Sequence, residues 1–523
     1  MKHRGYYWIG LVLALALYVS GQIGYAQEIK RIEIPTEGNT ESIQTIPLGH
    51  EGVIVVSKPN KGAFLVQKFN SELSNIWSIE GPIEPSLQFI SSSFDGHSVF
   101  LLFGKNRSVY YTIVKVNIGP GFLETFQIET VAKFEITDFV TLGYSMFMAG
   151  TIRNEAVLLH SRLDNAQTRL LPTAIKGSTV IQSLELDAVN RLVNVNFAIK
   201  KNRQTKIMVR AYTEDGQQAI EIQQTPDQDY SLLNGRIQIL NDSTQLLVGT
   251  YGYRNMQSSN ASASQGLYIS KFIRQKEVYT RYHSFTDFEN FFSYMNDRQQ
   301  EKLERRIDRK KESGQDLKLN YRLLMHDLKP DGENFLLTAE VFYPEFTYRT
   351  SGMGSGYSNL MGYSFGRGLY NPYLYNPMYA GRGYNQQVFD GFTYTHAIIA
   401  GISPKGDLLW DNSISFDEMK SMELRQKIKV QNEPNGQLTV AYSKEGSIKT
   451  TVIQQDKVIS AERSITVPST HAGDKIKKTT TDDVDYWFDQ YFLAWGVQRI
   501  TNNKASEQNR GRRNVFYLTK LAF

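Results

Sequence analysis

The sequence predicts an all-β protein folded as a single β-propeller, with eight four-stranded blades. Three observations carry the prediction. Pairs of apolar, hairpin-forming strands recur along the chain. Their interval of about 40–55 residues is that of a propeller blade. Tyr and Phe, which favour strands, number 30 and 28 in 523 residues.

The strand pairs are 53–57 with 63–69, 98–103 with 109–116, 145–152 with 156–163, 192–199 with 206–212, 245–251 with 266–273, 334–342 with 391–402, 437–442 with 448–453 and 491–497 with 514–521. A further outer strand follows each of the first seven, as at 122–128, 219–223 and 460–467. An inner strand precedes each, as at 87–92, 236–240 and 425–430. Seven blades is the alternative count, because boundaries read from one sequence shift by several residues.

The chain ends support a closed ring. Residues 29–34 alternate polar and apolar, a period-2 strand signal, and lack a hairpin partner. The last unit stops at Phe523, after its third strand. Pairing 29–34 with 516–521 completes that blade and leaves no terminal edge open.

Two insertions interrupt the repeat. Residues 286–313 read as a helix, with Thr286 and Glu289 as a capping box and Gly314 as the stop. Its apolar face is Phe288, Phe292, Met295, Leu303 and Ile307. Residues 351–387 are rich in Gly, Tyr, Asn and Met, have no strand or helix period, and form a rim loop inside the sixth hairpin. Tyr and Arg dominate binding hot spots. The candidate partner-binding residues are therefore Tyr357, Tyr363, Arg367, Tyr370, Tyr373, Tyr375, Tyr379, Arg382 and Tyr384.

Composition limits the function classes. Hydrophobic residues are 41% and charged residues 21%, enough for a large core. The net charge of +5 is mild, and no basic stripe is visible, so nucleic acid is not an expected partner. Residues 1–26 read as a secretory leader: Lys2, His3 and Arg4, then an apolar run at 9–19, then small residues before Gln27. The mature chain is expected in the periplasm, at the outer membrane or on the cell surface, with no integral membrane segment. Cysteine is absent, which excludes thiol catalysis, cysteine-ligated zinc and the lipid anchor of a bacterial lipoprotein.

The remaining motifs yield no catalytic, cofactor or metal site. Residues 362–366 match G-x-S-x-G but lack the strand before and helix after that a nucleophile elbow requires. Gly352, Gly354 and Gly356 have no phosphate-binding context. The eight histidines are scattered. Asp482, Asp483 and Asp485 read as a solvated turn before the last inner strand.

Residues 402–410, ISPKGDLLW, join an apolar strand, a Gly-Asp turn and a tryptophan; residues 68–72 with Trp77 repeat this more loosely. The pattern resembles the pyrroloquinoline-quinone-type propeller repeat, whose tryptophan docks neighbouring blades. The resemblance implies an eight-bladed ring. It brings no quinone cofactor, since no constellation for a quinone and its calcium is visible. One group in that class assists outer-membrane protein assembly; this chain is similar in its leader and architecture but lacks the lipid-bearing cysteine.

The sequence thus reads as a non-catalytic binding or scaffold propeller of the bacterial envelope that engages a protein partner through its rim loops. The alternative is a glycan-active hydrolase or lyase with carboxylates gathered in the central channel.

Overall fold

A ring of eight antiparallel sheets makes up the computed structural model, which describes residues 29–523 except 37–42, 61, 106–107, 154, 174–176, 242, 257–262, 327, 351–384 and 503–510. Blades 1 to 7 span 44–82, 88–129, 135–171, 178–224, 230–284, 322–421 and 429–466. In each, the strands run from the innermost outward in chain order. All eight hairpins expected from the sequence are the second and third strands of their blades.

Blade 8 is assembled from both ends of the chain. Lys475–Phe488, Tyr491–Asn502 and Gly511–Ala522 form its inner three strands, and Ile29–Pro35 is the outermost. The register runs from Ile29 opposite Leu521 to Ile34 opposite Phe516 and Pro35 opposite Val515. Ring closure by the N-terminal strand is therefore as expected. Ile32 and Ile34 pack with Phe516, Leu518 and blade 1's Val53 and Val55.

Both faces of every blade are covered, so alternate side chains are apolar on both sides and central strands read as continuous apolar runs. Ser98–Gly104 is buried at every position. Among the described residues the buried apolar side chains form eight clusters, and each straddles one pair of adjacent blades. Eight clusters for eight interfaces leave no gap in the ring, which settles eight blades over seven.

The helical insertion differs from its expected form. Helix α1 is Asp297–Glu312, and its capping box is Asn296 with Gln299, not Thr286 with Glu289. Residues 285–287 make only a single tight turn. The reason is packing. Phe285, Phe288 and Phe291 fill the apolar seam between blades 5 and 6. The Asp411 carboxylate of blade 6 accepts the Glu289 and Asn290 N–H groups at 2.8 Å each. Those amides are thereby taken from any helix. On α1 itself Ile307 is buried and the charged remainder faces solvent.

The two tryptophans hold equivalent places, opposite Lys68 in blade 1 and Gly401 in blade 6. Trp77 lies against blade 2, where a Cβ on Gly121 would come within 2.8 Å of the indole. Trp410 covers Gly401 on its own blade and packs against the apolar cluster shared with blade 7.

Candidate binding face

Antiparallel strands reverse direction at each step, so the connections sort onto two faces of the ring. Turns between first and second strands, and between third and fourth, emerge on one face. Hairpin turns between second and third strands, and links from one blade to the next, emerge on the other, here termed the crown face.

The opposite face is built from short turns tied to their neighbours. The blade 2 Asp95 carboxylate accepts the Gly143 N–H of blade 3 at 3.2 Å. Glu214 of blade 4 accepts the Tyr144 N–H at 3.2 Å and pairs with Arg191 at 2.6 Å. A cavity of about 480 Å³ opens there between blades 3 and 4, lined by His160, Arg162, Arg169 and Asp215 among others. Its charges are paired: Arg162 binds both Asp164 and Asp215, and Arg169 donates to the Asp215 carbonyl. Burial lowers the His160 pKa, and its Nε2 meets the Glu214 carbonyl at 3.0 Å.

The crown face carries the additions. The α1 insertion leaves from blade 5 and enters blade 6 there. The second and third strands of blade 6, Asn334–Thr350 and Asn385–Ile402, stay paired up to Thr350 opposite Asn385. At about 3.3 Å per residue, a strand of 17 residues reaches about 55 Å, against about 23 Å for the seven of Ser98–Gly104. The excess is a two-stranded ribbon standing beyond the ring. At its root Glu345 binds Lys420 at 2.6 Å and Thr393 at 2.5 Å, and Phe342, Phe392, Phe389 and Phe346 touch in succession at centroid distances of 4.8–5.8 Å. Blade 8 is also lengthened on this face, with second and third strands of 12 residues each.

The nine Tyr and Arg residues from Tyr357 to Tyr384 expected to bind a partner lie outside the described residues, as do residues 362–366. The segment holding them begins where the ribbon's ladder stops.

Between the two tall hairpins, the link into blade 7 brings charge to the inner edge of the ring. Arg425 meets Asp483 at 3.3 Å, and Lys429 meets Asp485 at 3.3 Å. Asp482 accepts the Gly446 N–H at 2.9 Å and also binds Ser443. The three aspartates are thus clamps between blades 7 and 8 within an inner strand, not a solvated turn. Their cation partners lie about 60 residues upstream, which hid the role. Lys427 makes no ion pair among the described residues; its Nζ donates to Ser421 Oγ at 3.1 Å and sits 5.6 Å from the Tyr394 ring centre. Burial, and then the Arg425 guanidinium, push its ammonium down to about 8.

Other carboxylates at blade interfaces do the same structural work. Glu340 of blade 6 is fully buried, and Oε1 accepts the Lys427 and Ile428 N–H groups at 2.6 and 2.7 Å and contacts His326 Nε2 at 3.1 Å. Asp138 of blade 3 accepts the Leu184 N–H of blade 4 at 2.7 Å. Glu185 of blade 4 is bound to Arg236 of blade 5. Each carboxylate is occupied in gripping the adjacent blade. Among the described residues no group of three or more His, Asp or Glu side chains is placed to hold a metal ion.

No family model matches the chain, and no curated protein matches it. Among solved structures, it is similar to the tricorn protease at 8% identity and TM-score 0.38, over 84% of this chain and 35% of that one. It is similar to polysaccharide lyase Uly1 at 8% identity and TM-score 0.39, over 83% and 89%. It is also similar to the β-propeller domain of the Trilobed protease from Pyrococcus furiosus at 9% identity and TM-score 0.33, over 83% and 93%. The chain therefore spans about a third of the first of these proteins.

Proposed function

We propose that this chain is a non-catalytic binding or scaffold propeller of the bacterial cell envelope, engaging a protein partner through its crown face. The observation that carries this reading is the gathering of the α1 insertion, the blade 6 ribbon and the lengthened blade 8 hairpin on one face. A paired ribbon with an aromatic root leads, in sequence, into the Tyr- and Arg-rich stretch 351–384. Such residues supply contact area and hydrogen bonds at low entropic cost. The interface carboxylates favour this over the glycan-hydrolase reading, which needs two carboxylates free to exchange protons.

Export of the mature chain after residue 26 belongs to the same proposal, and fractionation with N-terminal sequencing tests it. For the binding role, the test is affinity capture after mild crosslinking. The full chain is compared with a variant in which residues 351–384 are replaced by a short turn. One defined protein enriched by the full chain and lost with the variant supports the reading. Equal recovery by both, or recovery of the bait alone, overturns it.

A further inference from the structure

We propose that the surface of the blade 8 hairpin above blade 1 is a binding site for an anionic polysaccharide. Register and side-chain alternation define this surface. Val497 and Phe516 are opposite each other and pack against Val53 and Val55 of blade 1. Continuing outward on the same side of the sheet, the next row is Lys478, Arg499 and Asn514, and the row beyond it is Lys475, Thr501 and Arg512. The strands of the neighbouring blade 1 hairpin end at Asn60 and resume at Ala63.

Lys475, Lys478, Arg499 and Arg512 are all exposed. Neighbours in a row are about 5 Å apart, and rows on one side of a sheet are about 7 Å apart. None of the four makes an ion pair among the described residues. Their neighbour Arg513, which points to the other side of the sheet, is tied to Glu33 at 3.1 Å and to Asp474. The contrast is informative. Like charges directly opposite in a sheet are unfavourable, so the Lys478–Arg499 pair gives the fold nothing and leaves a field for an anion.

Two features choose the ligand class. Arginine forks bind carboxylate and sulfate through paired N–H groups, and Asn514 and Thr501 add neutral groups for sugar hydroxyls. A shallow concavity of about 220 Å³, lined by Arg499, Arg512 and Asn514 with Arg513 of the other side at its edge, adjoins these rows. Among the described residues no aromatic ring contact is made by the four cations, whereas single-stranded nucleic acid is held by bases stacked on aromatic side chains. An extended acidic glycan requires only the charge rows.

Calorimetric titration of the full chain with size-fractionated polygalacturonate tests the site. Saturable binding is expected, weakening roughly 10- to 100-fold between about 50 and about 200 mM salt. The R499Q/R512Q double variant is expected to lose at least about tenfold in affinity with an unchanged melting temperature. The K475Q/K478Q variant reports on the same rows independently, should the first variant fold poorly. Unchanged affinity in both variants overturns the proposal, as does equal binding of neutral dextran or tighter binding of a single-stranded oligonucleotide of equal charge. Purified protein is used with no protein partner present, so the outcome is independent of the capture experiment.

Discussion

The two faces of this ring differ in what their connections do. On the face of short turns, polar side chains reach across to neighbouring blades: Asp95 to Gly143, Glu214 to Tyr144, and Arg162 to Asp215. On the crown face, chain has been added at three places, and two of them extend hairpins outward beyond the ring. A closed propeller spreads its stability around eight equivalent interfaces, so length can be added at hairpin tips without disturbing a core. The lesson is that the insertions are not independent accidents of sequence. Strand parity places all of them on one side, and the interface clamps beneath keep the ring rigid while that side is free to specialise.

The comparison can be broken most forcefully at the seam both faces share. Deleting residues 27–35 removes Ile32 and Ile34 from the last blade and uncovers Phe516 and Leu518. A loss of roughly 2–4 kcal/mol is expected from the two half-buried isoleucines, with an open edge strand that aggregates. Melting curves and light scattering check this; a soluble, cooperative deletion variant would contradict ring closure as a stabilising device.

Glu340→Ala strikes a single clamp. It leaves the Lys427 and Ile428 N–H groups without their acceptor in a buried site, and a loss of about 2–4 kcal/mol is expected by urea denaturation. A change below about 0.5 kcal/mol would show that such interface carboxylates do not hold the blades.

The seam should also respond to acid. Burial alone would raise the Glu33 pKa, but the Thr470 N–H and the Arg31 and Arg513 cations outweigh it and hold the carboxylate below its ordinary range. A carboxyl whose folded pKa is depressed contributes stability that is present above its unfolded pKa, near 4.3, and is lost as pH falls through the folded value. Stability measured from pH 6 down to pH 3 should therefore fall less steeply in Glu33→Gln than in the parent. Lys427 gives a slope of the same sign at higher pH. Its folded pKa of about 8 lies below the unfolded value, so stability should rise with pH between about 8 and 10, and Lys427→Met should abolish that rise.

The smallest expected effect sharpens the contrast. Replacing residues 351–384 with a short turn leaves the described blade ladders in place and should shift the melting temperature by less than about 2 °C. A large shift would mean that the crown segment is part of the ring's core.

The repeat was legible because each blade writes its second and third strands as apolar runs of similar length, and because Ile29, Ile32 and Ile34 had no local partner. The helix start at Asn296 was hidden by packing. Thr286 and Glu289 satisfy the local capping pattern, but Asp411, more than 120 residues away, claims the intervening amides. The charge sites were hidden by topology. Lys475 and Lys478 lie beside Arg499 and Arg512 only through strand register, so the basic rows, absent from any linear stretch, emerge with the sheet. Asp483 and Asp485 likewise acquire their meaning from Arg425 and Lys429 on the preceding blade.

The proposed function assigns binding to the crown face and bracing to the opposite face. Site-specific photocrosslinking in the native envelope tests it most directly. A photoreactive residue is placed at Asp390 on the ribbon or exposed Met422 beside it, and at Val189 or Asn435 among the opposite turns. Adducts with one common protein from the first two positions and none from the last two are the predicted result. Adducts that form at Val189 and Asn435 as readily as at Asp390 and Met422 would contradict it.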